Sequence, residues 1–354
     1  MSTKTKKALT LRMENRSVFV NLDVFVGNIK KRDQTTLTIP LHGQDECPGS
    51  FALTPASMTT AATVYGLSLA GVIRGRCLDW GCGNGILSLV AAAAAPGVER
   101  VIGIDIAQTN VDAARANAAL GGCSNAVFVR GDGFRPLESF VWGGQAFTAA
   151  NDDGGEMLRG MDIVLANPPA SSGDDGFGFR RRILREAPSV LRPGGLLVMQ
   201  WLSYYTGGGP GPIPERVREA LEEAPEMRYR GVVGSSEWVP LGTARQRETG
   251  SSAAGTLLQQ IKDYADEEAR GGLRYFCTPT DPEFPGATAA ATATEPAGCE
   301  RLVVRLRGLG DGDGEEEPPE RVETCTAAET LERARAGHEP LCRWQCHLFE
   351  RAAG

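Results

Sequence analysis

The sequence predicts a doubly wound α/β fold built on a parallel sheet. Three observations carry that reading. Strand-like and helix-like stretches alternate from Arg76 to Gln200, and a glycine-rich turn, Gly81–Gly85, follows the first of these strands. A later strand-like run, "DIVLA", stops at Asn167-Pro168-Pro169, and prolines cannot continue a central ladder. Strands separated by helices of this length imply right-handed βαβ units and parallel pairing.

In chain order, residues 17–26 ("SVFVNLDVFV") and 36–41 ("TLTIPL") alternate or cluster β-branched and apolar residues, as strands do. The segment "CPGSFALTPASMTTAATVYGLSLAG" reads as a loop leading into a helix. The alternating region follows. Its strands are "RCLDW", "RVIGIDI", "AVFVRGD", "DIVLANP" and "GLLVMQW", and its helices are "NGILSLVAAAA", "QTNVDAARANAALGG" and "GFRRRILREAPSVLRPGG". Residues 140–160, rich in Gly and Asp, interrupt it as an expected surface loop. Beyond Trp201, helices are expected at 213–224 and 257–270 and strands at 301–308 and 342–351, with low-complexity loops at 279–298 and 311–320. The chain divides accordingly into a β-rich N-terminal extension (1–50), a core (51–205) and a C-terminal part (206–354) that completes the sheet with insertions.

Composition narrows the class. With 354 residues and 42% hydrophobic content the chain is long enough for a substantial core. Its longest weakly polar stretch, 86–95, is far short of the roughly 20 residues a membrane span needs. No signal-peptide hydrophobic region follows the start. The opening "MSTKTKKALTLRMENRS" is basic and hydroxyl-rich, which keeps an organelle transit peptide open beside a cytoplasmic location. Nine cysteines without regular pairing fit a reducing cytosol. The net charge of −7 argues against wholesale nucleic-acid binding. Residues 1–39 are nevertheless basic, with Glu14, Asp23 and Asp33 as their acids, whereas "DGDGEEEPPE" is strongly acidic. Both read as solvated surface, with an anionic partner for the basic start as the alternative.

The glycine turn "CLDWGCGNGILSL" discriminates between ligands by its spacing. A nicotinamide fingerprint has G-x-G-x-x-G; here Ile86 stands where the third glycine belongs, and no Lys-Ser/Thr follows to make a P-loop. The remaining pattern is D-x-G-x-G-x-G from Asp79. On these residues the segment 76–201 resembles the class I S-adenosylmethionine (SAM)-dependent methyltransferases, and so a Rossmann-like methyltransferase sheet. The resemblance implies that Asp79, Gly81, Gly83 and Gly85 hold the methionine part of the cofactor and its ammonium. It implies that Asp105, about 20 residues beyond Gly85, binds the ribose hydroxyls with Ile106 beside it. Asp132 and Gly133 would meet the adenine, with Phe134 flanking the ring, and "LRPGGLLVMQ" is similar to the turn and strand after the catalytic loop. Each aspartate taken alone reads first as a helix cap, and it is the four features in order on successive strands that reverse that reading.

Within that family, Asn/Asp-Pro-Pro followed by an aromatic residue marks enzymes that methylate planar nitrogens: exocyclic amines of bases or the amide of glutamine. By resemblance, Asn167 and Pro168 supply acceptors for the target N–H bonds, Pro169 stiffens the turn, and Asn167 also borders the cofactor. The fourth position here is Ala170, not an aromatic residue. Phe177 and Phe179 are the candidate replacements, with core packing as their alternative. Arg180, Arg181, Arg182 and Arg185 follow, and Arg181 is a candidate for a substrate phosphate or carboxylate. Phe51, Thr54 and Pro55 are candidate lid residues. A zinc site from Cys342, Cys346 and His347 with Cys325 or His338 has the wrong spacing for a knuckle, so no metal is expected. The expected function is therefore N-methylation of an RNA base or of a glutamine in a translation protein. A small-metabolite methyltransferase and a non-catalytic scaffold subunit are the alternatives, and neither a membrane nor an oligomeric state is called for.

Overall fold

Alternation of short β-rich runs with alanine-rich or amphipathic runs is realised as strands and helices in the computed structural model. It describes residues 7–12, 18–21, 36–42, 47–50, 53–142, 144–147, 158–169, 177–202, 213–241, 254–271, 276–277, 299–307, 325–336 and 341–353. Phe51, Ala170, His338, most of the 17–26 run and the loops 279–298 and 311–320 lie outside the described residues.

The chain opens with strands β1 (Lys7–Arg12), β2 (Val18–Asn21) and β3 (Thr36–Leu41), followed by helix α1 (Pro55–Leu69). Then come β4 (Gly75–Trp80), α2 (Ile86–Ala94), β5 (Val98–Asp105), α3 (Gln108–Gly121), β6 (Ala126–Asp132) and the short β7 (Arg135–Pro136). The region expected to be a plain loop at 140–160 contains a small hairpin, β8 (Phe140–Trp142) with β9 (Gln145–Phe147). Its turn uses Gly144 at φ 79°, a signal that the Gly/Asp-rich composition masked. The core continues with β10 (Met161–Ala166), α4 (Gly178–Val190) and β11 (Leu191–Leu202). Helix α4 stops before the expected "LRPGG", where Leu191 enters β11 and Pro193 disfavours helical backbone at Arg192. The remainder comprises α5 (Glu215–Glu222), β12 (Met227–Ser236), β13 (Val239–Pro240), α6 (Ala254–Ala269), β14 (Phe276–Cys277), β15 (Cys299–Arg307), β16 (Cys325–Thr326), α7 (Ala327–Arg335), β17 (Leu341–Cys342) and β18 (Trp344–Arg351).

Twelve of these strands form one sheet in the order β3-β1-β15-β2-β12-β18-β11-β10-β4-β5-β6-β7. Strands β11, β10, β4, β5 and β6 are mutually parallel, and β18 runs antiparallel between β11 and β12. Thus the C-terminal segment supplies β12 and β18 beside the alternating core, and β1–β3 extend the same sheet beyond them with the C-terminal β15 between β1 and β2. The central strands are apolar on both faces because helices cover both. Helices α1, α2 and α3 enclose one core with residues such as Val64, Leu89, Val111 and Leu165. On the other face α4 and α5 bury Ile183, Leu184, Ala187 and Val217 against Leu78, Met199 and Trp201. The spacing of the apolar positions in α4 is that of one helix face.

What positions a site is the reversal of strand order beside β4. The chain proceeds from β4 outward to β5 and β6, then returns to place β10 on the opposite side of β4. Doubly wound folds leave a crevice at the carboxyl ends of the strands at such a switch point. In this chain those ends are Trp80-Gly81 and Ala166-Asn167, brought level by the pairing of Ala166 with Trp80. No described helix is long and apolar enough to cross a membrane.

Candidate active site

The glycine turn leaves β4 through three residues in the left-handed region, Gly81 (φ 65°), Gly83 (φ 54°) and Gly85 (φ 87°). L-residues rarely adopt these angles, so the turn's geometry accounts for the sequence pattern. The glycines differ in what they face. A Cβ on Gly85 would sit 3.0 Å from Ala114 Cβ and 3.2 Å from the Phe128 ring, whereas one on Gly81 would meet nothing within 4 Å. Gly85 therefore packs against the fold, and Gly81 opens onto the crevice.

Two carboxylates hold the turn. Asp79 is fully buried; its Oδ2 accepts from Ser88 Oγ at 2.7 Å and from the Ser88 amide at 3.1 Å. Its Oδ1 has no partner among the described residues. Burial pushes the Asp79 pKa up to about 7, opposed by the Ser88 bonds and reinforced by the neighbouring Asp105 charge. Asp105, 7% exposed at the end of β5, accepts from the Gly83 amide (2.9 Å), the Ala107 amide (2.9 Å) and Asn110 Nδ2 (3.1 Å). A carboxylate has about four acceptor positions. A diol ligand would thus replace one bond, and Asn110 is the partner that can yield without opening the glycine turn. Next to Asp105, Ile106 is 63% exposed, a large apolar side chain left in water at the rim.

The residues present fit the cofactor that the family resemblance implies. The orphaned Asp79 Oδ1 can take an ammonium, the open side of Gly81 admits close backbone approach, and Ile106 offers an apolar face for an adenine ring. At the end of β6, Asp132 pairs with Arg182 at 2.7 Å, and Arg182 also bonds Glu186 at 2.9 Å. Gly133 (φ 64°) lies beneath that guanidinium, since a Cβ there would come within 2.7 Å of Arg182 Nη2.

The Asn-Pro-Pro turn stands across the crevice. Asn167 Nδ2 donates to Ser57 Oγ at 3.1 Å, and its Oδ1 accepts no bond among the described residues. Pro168 is buried and Pro169 exposed. The Pro168 carbonyl accepts from Arg180 Nη2 at 3.1 Å, and the Pro169 carbonyl from Arg180 Nη1 at 3.4 Å. Arg180 also donates to the Gln200 carbonyl (3.1 Å) and Gln200 Oε1 (3.2 Å), tying the turn to the end of β11. At 6% exposure this guanidinium is inside the protein. It lies 5.9 Å from the Phe177 ring and 5.7 Å from the Trp201 ring.

The packing places two of the expected substrate contacts as follows. Phe177 is 3% exposed, with its ring 5.3 Å from Trp201 and the Arg216 guanidinium 5.5 Å from it. It is a core residue. Arg181 points instead to Glu223, at 3.8 Å, which Arg185 approaches at 3.2 Å. The expected basic patch is thus paired with an acid beyond the end of α5. Phe179 remains half-buried beside the crevice, its ring 5.8 Å from Trp80. Trp80 Nε1 is a buried donor without a partner among the described residues.

Sequence reasoning missed Ser57 and Gln200 and treated Arg180 as one of four equivalent arginines. Thr54-Pro55 signals the start of α1, but no local pattern connects Ser57 to a residue 110 positions away. Of the zinc candidates, His347 Nδ1 lies 3.0 Å from Tyr229 Oη and Cys346 Sγ 3.7 Å from Thr60 Oγ1. No group of three or more metal-ligating side chains occurs among the described residues.

Residues 74–241 match the family model described as "Methyltransferase domain". A release factor glutamine methyltransferase of Xylella fastidiosa is 33% identical over 130 residues, covering 35% of this chain and 46% of its own length. An uncharacterized RNA methyltransferase of Caldanaerobacter subterraneus is 34% identical over 103 residues, 29% of this chain and 18% of its own. A 4-amino-L-phenylalanine/4-methylamino-L-phenylalanine methyltransferase of Streptomyces pristinaespiralis is 26% identical over 194 residues, covering 48% and 59% respectively. The chain spans about half the length of the first of these curated relatives.

Proposed function

We infer that this chain, whose residues 74–241 form a class I SAM-dependent methyltransferase domain, methylates a planar amine or amide nitrogen. The cofactor, when bound, supplies an electrophilic methyl group on a sulfonium. The carrying observation is the Asn167 Oδ1, unbonded among the described residues, beside the Pro168 carbonyl, at the end of β10 and level with the glycine turn. Those two acceptors take the N–H bonds of the target, draw its lone pair out of conjugation and aim it at the methyl. On transfer the target nitrogen would gain the methyl group that the cofactor gives up, the bonding pair remaining with the cofactor's sulfur. The nitrogen proton, now acidic, passes to water.

The substrate in this reading is an exocyclic amine of an RNA base or a glutamine of a translation protein. The names of the release-factor and RNA methyltransferase relatives support it. The second reading, a small aromatic amine, is favoured by the net charge of −7 and by the amino-phenylalanine methyltransferase relative. In either case residues 51–205 carry cofactor and transfer site, residues 206–354 complete the sheet, and a reducing cytoplasm suits the thiols. Incubation with methyl-labelled SAM and, in parallel, total RNA, ribosomal and release-factor protein, and a metabolite extract tests it. Label is expected in RNA or protein and absent with Asn167→Ala; label confined to the extract selects the second reading. Undiminished transfer by Asn167→Ala would overturn both.

A further inference from the structure

The two ends of an asparagine amide are nearly equal in size, yet only Oδ1 can accept from a target N–H. A clamp built on Asn167 works only if something decides which end faces the crevice. Ser57 is placed to do so. It lies in the first turn of α1 and is 2% exposed, and its Oγ accepts from Asn167 Nδ2 at 3.1 Å. Ser57 is itself fixed: its amide donates to Thr54 Oγ1 at 3.2 Å, and its hydroxyl, 3.0 Å from Thr54 Oγ1, can direct its proton there and so keep its oxygen as an acceptor for Asn167. Thr54 is the N-cap of α1, in extended conformation (φ −112°, ψ 163°), with Pro55 at the first helical position. From Thr59 to Leu69 every residue of the helix is buried, so the cap has little freedom to shift.

We propose that Ser57 is a positioning residue for methyl transfer, holding the Asn167 amide with Oδ1 toward the transferred methyl and Nδ2 away from it. The proposal rests on the reading of Asn167 given above. Ser57 lies outside residues 74–241 and on a different helix from every cofactor contact. Arg180 fixes the neighbouring Pro168 carbonyl independently, from the opposite face of the sheet. Loss of Ser57 therefore releases one acceptor and leaves the other in place.

Sinefungin tests this without a known substrate. It carries an amine-bearing carbon where SAM has its methylsulfonium, so its ammonium reports on the acceptors at that point. S-adenosylhomocysteine lacks the group and reports on the rest of the site. Calorimetric affinities for both ligands give a preference ratio. Wild-type protein is expected to prefer sinefungin, and Asn167→Ala to lose that preference. Ser57→Ala is expected to reduce it about tenfold, the scale of one charge-assisted hydrogen bond. Ser57→Thr, which keeps the hydroxyl, is expected to restore it, with S-adenosylhomocysteine affinity unchanged in both Ser57 variants. A wild-type ratio in Ser57→Ala, while Asn167→Ala loses its preference, overturns the role of Ser57 and leaves the Asn167 reading standing. No preference in the wild type, or none lost in Asn167→Ala, overturns the clamp and Ser57 with it. If Ser57→Ala also loses S-adenosylhomocysteine binding, Thr54→Val reads the same ratio, and an unchanged ratio there overturns the proposal.

Discussion

Asp79 carries a carboxylate oxygen that is buried without a donor among the described residues, and burial raises its pKa to about 7. An ammonium bound there would supply the missing donor and favour the ionised form. Cofactor binding is therefore expected to weaken as pH falls below 7, approaching tenfold per pH unit, because protonated Asp79 must first lose its proton. Calorimetry with S-adenosylhomocysteine from pH 5.5 to 8 checks this. An Asp79→Asn variant is expected to bind at least tenfold more weakly at pH 8 and to show no such slope. A pH-independent wild-type affinity would separate Asp79 from the ligand. Arg180 illustrates a different economy at this scale. A buried guanidinium needs its donors engaged, and the carbonyls of Pro168, Pro169 and Gln200 engage them while fixing the turn.

Among the elements, the glycine turn joins local conformation to packing. Gly85→Ala places a Cβ at φ 87° and 3.0 Å from Ala114. Strain and crowding together are expected to cost about 2 kcal/mol of stability. Chemical denaturation measures that loss, and a cost below about 0.5 kcal/mol would show that the turn is not constrained. Such turns were legible in the sequence because their requirement is local: a positive φ selects glycine, and prolines stop β10. The strands β4, β5, β6, β10 and β11 were legible for the same reason, as apolar runs covered on both faces. The surroundings of Phe177 and Arg181 were not legible because adjacent residues of α4 point to different places, and sequence alone does not say which face the crevice takes. Ser57 was invisible because its partner comes from another element of the sheet.

Across the whole molecule, two buried groups tilt stability in opposite directions. Asp79 has a folded pKa near 7 against a model-peptide value of 3.8, so the folded state retains a proton that the unfolded chain loses. Its contribution falls as pH rises from about 4 to 7. His347 is completely buried beneath Tyr229 and Trp201, and burial lowers its pKa to about 3, with Arg180 and Arg343 adding to the effect. Here the unfolded chain holds the extra proton, so its contribution rises as pH climbs from about 3 to 6.5. Between pH 4 and 6.5 the two slopes offset each other. The ligand-free protein is expected to gain a steeper loss of stability on acidification in Asp79→Asn and the opposite tilt in His347→Gln. Denaturant midpoints at pH 4.5, 5.5 and 6.5 check both, and parallel profiles for the wild type and both variants would contradict the pairing.

The sheet joins these features into one machine: the switch point beside β4 sets the glycine turn and the Asn-Pro-Pro turn at one edge, with α1 and α4 steadying the latter from opposite faces. Its function is tested most directly by locating the transferred methyl. Product labelled from methyl-labelled SAM is digested to nucleosides or amino acids and analysed by mass spectrometry. The methyl is expected on an exocyclic amine or side-chain amide nitrogen, and to vanish with Asn167→Ala. A methyl on oxygen or carbon, formed as well by Asn167→Ala as by the wild type, would contradict it.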